Sequence, residues 1–272
     1  MKKCFIILFL FISYGIQSQV LIALLLGDKL NTGNIEFGLD GGFNYSSISG
    51  MDTNDKLSEF NIGFYFDFKL KEKWYLNTGV LMKSTLGVNN LSTDDLEFLE
   101  ATIYLDQNDN ILKGDYSQKM NYFLIPALAK YKFNRKIYAE AGLQFGWMYK
   151  SWIQLDSNID GNSARIKENN KDMILWFDMG VAAGAGYRLL NGYGWTLGVR
   201  YYYGFLDVYK DRSGTKNSSL FLKLNIPIGI TDEMKERAEE QKVMIKEKKV
   251  KRKEDKKNKR IKEVNNMEMQ YI

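Results

Sequence analysis

The sequence predicts an all-β fold: an eight-stranded antiparallel, up-and-down transmembrane β-barrel followed by a charged C-terminal tail, helical or disordered. Three observations carry this. Residues 59–70, EFNIGFYFDFKL, set Phe60, Ile62, Phe64, Phe66, Phe68 and Leu70 on one face, and Glu59, Asn61, Gly63, Tyr65, Asp67 and Lys69 on the other. That is the two-residue period of a strand, at a length suited to a tilted membrane strand of about 9–11 residues. The 272 residues include 17 Tyr, 16 Phe, 5 Trp and 23 Gly but only 2 Pro, which suits long unbroken strands. Connections between the strand candidates alternate between tight and long, as in outer-membrane barrels with short periplasmic turns and long external loops.

Taken in order, residues 1–18 read as a secretory signal peptide, with Lys2 and Lys3, an apolar run over 4–12 and a polar end before Gln19. Residues 19–34 form an apolar lead-in containing VLIALLLG, either a short helix under the inner mouth or a strand-like entry. Strands are expected at 35–46, 59–70, 74–85, 119–133, 137–150, 172–189, 195–205 and 219–230, making the barrel span 35–230. Tight turns fall at 71–73, 134–136 and 190–194, and long loops at 47–58, 86–118, 151–171 and 206–218. An even strand number puts both barrel ends, and the tail over 231–272, on the periplasmic side. Aromatic residues gather at the strand ends, among them Trp74, Tyr131 and Trp195 by the turns and Trp147, Tyr149 and Tyr201 toward the loops, which predicts two interfacial girdles. A soluble barrel would have to turn the ring-rich face inward. An eight-stranded interior is too narrow for a large ring at many levels, and it suits the glycines and few long charged chains of the polar face.

The polar faces bring Glu36, Asp40, Asp67, Glu140 and Asp178 together with Lys83, Lys130, Arg188, Arg200 and Lys223. Such a set predicts a buried ion-pair network plugging the lumen, because an unpaired charge there is costly. The alternatives are a proton or ion path, or catalysis by paired carboxylates. The one cysteine, Cys4, falls in the signal peptide and histidine is absent, so no conventional transition-metal site and no cofactor is expected. The DQNDN stretch at 106–110 resembles the start of a calcium loop, but Ile111 stands where glycine is required and Ser117 where glutamate is. It reads as a hairpin turn with ATIYLD and ILKGDY as its arms.

The net charge of +5 is mostly terminal: residues 231–272 hold 14 basic and 10 acidic side chains. Nothing in this balance calls for nucleic acid. Within the tail, Lys248, Lys249, Lys251, Arg252, Lys253, Lys256, Lys257, Lys259 and Arg260 form a basic cluster, a candidate arm for an acidic periplasmic or envelope protein or for peptidoglycan.

Two motifs carry a family resemblance. LLGDKLNTGNIEFGLDGG at 25–42, followed by Tyr122-x-x-x-Pro126, resembles the PorT-like outer-membrane β-barrels of Bacteroidetes, over roughly 19–230. The resemblance implies an outer-membrane barrel in contact with lipid. Named relatives are linked to type IX secretion and gliding. Family members often carry an acid two residues after that tyrosine, where this chain has Leu124. The expected function is non-enzymatic, structural or accessory. A narrow channel or small-ligand-binding barrel, or an enzyme built on loops 86–118 or 151–171, are the competing readings.

Overall fold

The computed structural model describes residues 34–53, 55–105, 111–112, 114–159, 162–192 and 194–228. The expected signal peptide, nearly all of the lead-in, the DQNDN turn and the basic tail cluster lie outside these residues. The chain divides into the units Met1–Gly229 and Ile230–Ile272.

Among the described residues nine strands form: β1 Ile35–Ile48, β2 Leu57–Lys71, β3 Trp74–Val88, β4 Asp115–Lys132, β5 Ile137–Ile159, β6 Asn162–Asn169, β7 Phe177–Arg188, β8 Thr196–Tyr209 and β9 Arg212–Pro227. Eight of them close a ring in the order β1, β2, β3, β4, β5, β7, β8, β9, with β9 returning to β1; every pairing is antiparallel. Closure matters because a strand edge left open in hydrocarbon would strand a row of backbone donors and acceptors. No helix among the described residues is long and apolar enough to cross a membrane.

The alternation read from the sequence sets the two faces. Phe43, Phe60, Ile62, Val181, Leu197, Val199 and Leu222 are exposed on the outer wall, while Asp40, Asn44, Asn61, Asp67, Asn77, Arg200 and Lys223 are buried inside. Trp74, Tyr131 and Phe133 pack tilted or edge-on near the tight turns, and Phe123 with Tyr149 and Trp147 with Phe177 near the loops. The turn between β4 and β5 is held by Asn134, whose Oδ1 accepts from the backbone N–H of Lys136 and Ile137 at 2.8 and 2.9 Å.

The outer half departs from expectation. β5 runs 23 residues, far past the membrane, and pairs there with β6 in a hairpin outside the ring. β8 and β9 continue until Tyr209 meets Arg212, so 206–218 is a strand pair and not a long loop. The sixth expected strand starts at Phe177 instead of residue 172, because Lys171–Met173 form a 3-10 turn. Between β3 and β4 lies the short helix α1, Thr93–Phe98, begun by a capping box of Ser92 and Asp95.

Two β-bulges reverse the facing of particular side chains. On β3, Ile62 pairs with Lys83 while the next residue, Gly63, pairs with Leu81, leaving Met82 extra. On β5, Asn121 pairs with Lys150 while Tyr122 pairs with Met148, leaving Tyr149 extra. Strict alternation would send Lys83 and Lys150 into the lumen. The extra residue turns both outward, where they are exposed, and buries Ser84 and Ser151 instead. Nitroxide labels on single cysteines at 83 and 150 are therefore expected to relax strongly with lipid-dissolved oxygen, and labels at 84 and 151 weakly. The opposite order at either pair would mean that strand has no bulge.

Candidate functional site

The lower lumen holds four acids and four bases. Arg188 Nη1 contacts Glu36 Oε2 at 2.6 Å, and Tyr65 donates to Glu36 Oε1 at 2.8 Å. Lys130 Nζ meets Asp67 Oδ2 at 2.7 Å, and Asn77 Nδ2 donates to Asp67 Oδ1 at 2.7 Å. Arg200 Nη2 bonds Asn77 Oδ1 at 2.9 Å and Glu140 Oε1 at 2.7 Å. Lys223 Nζ lies 3.3 Å from Glu140 Oε1 and 3.8 Å from Asp40 Oδ2. From Lys130 to Asp40 this is one unbroken chain across the barrel, with Asn77 as the neutral bridge between two ion pairs. Arg200 and Glu140 are about as buried as side chains become, at 1% and 0% exposure.

Glycine makes room for the rings among these charges. A Cβ at Gly186 would lie 2.4 Å from Tyr138 Cε1, and one at Gly198 2.7 Å from its hydroxyl. Tyr138 therefore lies across β7 and β8, and the Lys130 ammonium sits 4.1 Å from its ring centroid. Two spaces beside these charges are of water size. One at the lower mouth, lined by Glu36, Asp67, Lys130 and Arg188 among others, is about 20 Å³. Another beside Asp40, Leu81, Arg200 and Phe221 is about 10 Å³. A single water needs a comparable volume, ~10–15 Å³.

Above the charges the lumen turns apolar. Leu81, Tyr122, Leu124, Leu128, Tyr202 and Phe221 pack together and continue into Leu96 and Leu99 of α1, with Ile153, Leu155 and Tyr209 of the strand extensions. Asp95 ties this cap to the first external loop, accepting from the backbone N–H of Asp52 at 2.7 Å and Thr53 at 3.1 Å. Phe98 packs under Arg212, 3.7 Å from ring centroid to guanidinium. A second buried polar cluster joins Gln118, Ser151, Asn170 and Tyr209, with Ser151 Oγ donating to Asn170 Oδ1 at 2.7 Å.

Eight of the ten expected lumen residues thus meet in the network: Glu36, Asp40, Asp67, Glu140, Lys130, Arg188, Arg200 and Lys223. Lys83 does not, because the β3 bulge turns it out. Asp178 is buried inside but forms no ion pair among the described residues; Asn217 Nδ2 donates to it at 2.9 Å. It stands among Tyr122, Tyr202 and Asn217, above the basic layer. Asn77, Tyr65 and Tyr138 complete the network, and their membership was readable only from the period-two faces they share with Asp67 and Glu140. Leu124, where the resembled family often has an acid, is buried in the apolar layer. In the external hairpin, burial acts to raise the Asp156 carboxyl, but hydrogen bonds from Arg165 and Gln154 outweigh it and hold Asp156 below the usual carboxylate range.

Residues 17–210 match the sequence profile described as "Outer membrane protein beta-barrel domain". This chain belongs to that family. Its location is accordingly the outer membrane, with its wall in contact with lipid. No curated protein matches this outer-membrane barrel. Among solved structures, similar ones include Ail, the attachment invasion locus protein of Yersinia pestis, at 12% identity and a TM-score of 0.38, covering 71% of this chain and 99% of Ail. OprG from Pseudomonas aeruginosa is 16% identical with a TM-score of 0.34, covering 74% of this chain and 96% of OprG. Neisserial surface protein A is 9% identical with a TM-score of 0.33, covering 71% and 96%.

Glu140 serves two cations at once, so Glu140→Gln is expected to be costly. It leaves Arg200 and Lys223 short of a counter-charge in a buried site, a loss of roughly 3–5 kcal/mol. The temperature at which the folded gel band converts to the unfolded one should fall clearly. Lys216→Gln, which breaks an external pair with Asp207 at 3.5 Å, should change stability by no more than about 1 kcal/mol.

Proposed function

We propose that this outer-membrane barrel is a non-enzymatic structural or accessory component, closed to ion flow, that works through surfaces outside its lumen. The charge-balanced lower lumen carries this reading. Its acids and bases pair with one another at 2.6–3.8 Å, and the two spaces described beside them are water-sized. The apolar layer and α1 supply a second closure on the external side. Catalysis on the external loops would rest on Ser, Lys or carboxylates, and two of the carboxylates there serve in structure: Asp95 caps α1 and Asp156 holds Arg165.

The motifs at 25–42 and 122–126 support membership in the PorT-like group, and with it a place beside protein secretion or gliding machinery. In that setting residues 1–18 direct export, and the cluster at 248–260 is a periplasmic arm for an envelope protein or peptidoglycan. The first test is single-channel recording on the folded, full-length protein in planar bilayers. The closed reading predicts a silent bilayer. Reproducible conductance steps would overturn it in favour of a narrow channel.

A further inference from the structure

The two lysines that the bulges expel from the lumen share one outward wall. Lys83 stands in the β3 bulge, between the Leu81–Leu124 and Ser84–Tyr122 pairings; above it the register of β4 to β6 aligns rows on the same face: Asn121 with Lys150, Lys119 with Trp152 and Asn169, Ser117 with Gln154 and Lys167, then Asp115 with Asp156 and Arg165. Two cations of this wall are neutralised within the protein, Lys119 by Glu59 at 2.8 Å and Arg165 by Asp156 at 2.5 Å. Lys83, Lys150 and Lys167 are exposed and form no ion pair among the described residues. Lys150 and Lys167 converge on one indole, their ammonium groups 5.2 and 5.1 Å from the Trp152 ring centroid. Below them Met82, Phe123, Trp147 and Tyr149 form an exposed apolar wall. Across the barrel, on β8 and β9, Lys216 has its acid in Asp207.

We propose that this wall binds the phosphorylated headgroup of the glycolipid that makes up the outer leaflet of an outer membrane. Lys83, Lys150 and Lys167 contact its phosphates, and Met82, Phe123 and Trp147 contact its acyl chains. Depth argues for this occupant. Cations directly above a lipid-facing aromatic girdle stand at headgroup level, and long lysine stems reach from an apolar wall to an anionic interface. Charge argues for it too, because these three lysines form no ion pair among the described residues. The inference rests on the outer-membrane location and not on the closed-lumen reading, so a conductance result leaves it untouched.

The test uses folded full-length protein in detergent, titrated with bisphosphorylated lipid A and with the same lipid dephosphorylated, bound lipid being counted by native mass spectrometry. The phosphorylated lipid should bind roughly tenfold more tightly or better, since each lysine near an anionic membrane surface adds to the attraction. Lys83→Gln, Lys150→Gln and Lys167→Gln combined should remove that preference while keeping the heat-dependent gel shift of a folded barrel. Lys136→Gln, Lys210→Gln and Lys216→Gln combined should retain it. Inorganic phosphate at equal concentration should not displace the lipid. Equal binding of both lipids, a retained preference in the first triple variant, or displacement by phosphate alone would each overturn the proposal.

Discussion

An eight-stranded barrel has too little interior for a water column, so an acid or base pointing inward must find a partner on another strand, a counter-charge or, for Asp178, the Asn217 amide. The lower half of this molecule is arranged around that constraint. Glu140 on β5 meets Arg200 on β8 and Lys223 on β9; Asp67 on β2 meets Lys130 on β4; Glu36 on β1 meets Arg188 on β7. Almost every strand of the ring contributes to a pair that crosses it. In lipid, where apolar side chains gain nothing by leaving water for one another, such cross-ring contacts tie the wall together while backbone ladders hold neighbouring strands. The glycines follow from the same crowding, since Tyr138 can lie across β7 and β8 only where Gly186 and Gly198 have no side chain.

The external half solves a different problem. There the strands outrun the membrane, and β4, β5, β8 and β9 continue as hairpins standing in water. Their inner faces carry Met120, Ile153, Leu155, Val208 and Tyr209, and α1 covers them with Leu96 and Leu99. This is an ordinary water-driven apolar core built on top of a lipid-embedded wall. Asp95 joins the two loops over it, both by capping its own helix and by receiving the backbone of residues 52 and 53.

Most of this was legible from alternation. The eight ring strands fall where the period-two runs do, and nine inward charges follow from facing alone, eight of them in the network. What alternation hides is any change of its own phase. Met82 and Tyr149 look like ordinary outward residues, yet each adds one position and sends the following lysine to the other face. Nothing local in MKST or MYKS marks that shift, because a bulge is set by the neighbouring strands' register. Asp178 was misjudged for a related reason: facing says that it is inside, but not at which height, and the bases lie lower. The strand extensions were hidden by composition. Residues 206–218 and 151–171 are rich in polar and charged residues because they stand above the lipid, and polarity there resembles a loop. The six-residue helix opened by the box of Ser92 and Asp95 lies within a stretch whose length suggested an open loop.

The lower lumen is closed by direct contact between its acids and bases. Magnetic-resonance measurement of the Arg200 guanidinium in the folded protein in lipid bilayers tests this most directly, by nitrogen–carbon dipolar coupling to a labelled Glu140 carboxylate and by exchange of the guanidinium protons with solvent. A direct contact, corresponding to the 2.7 Å nitrogen–oxygen separation, with slow proton exchange is the predicted result. Absence of that coupling together with rapid exchange would show a hydrated, open lumen and would contradict the account.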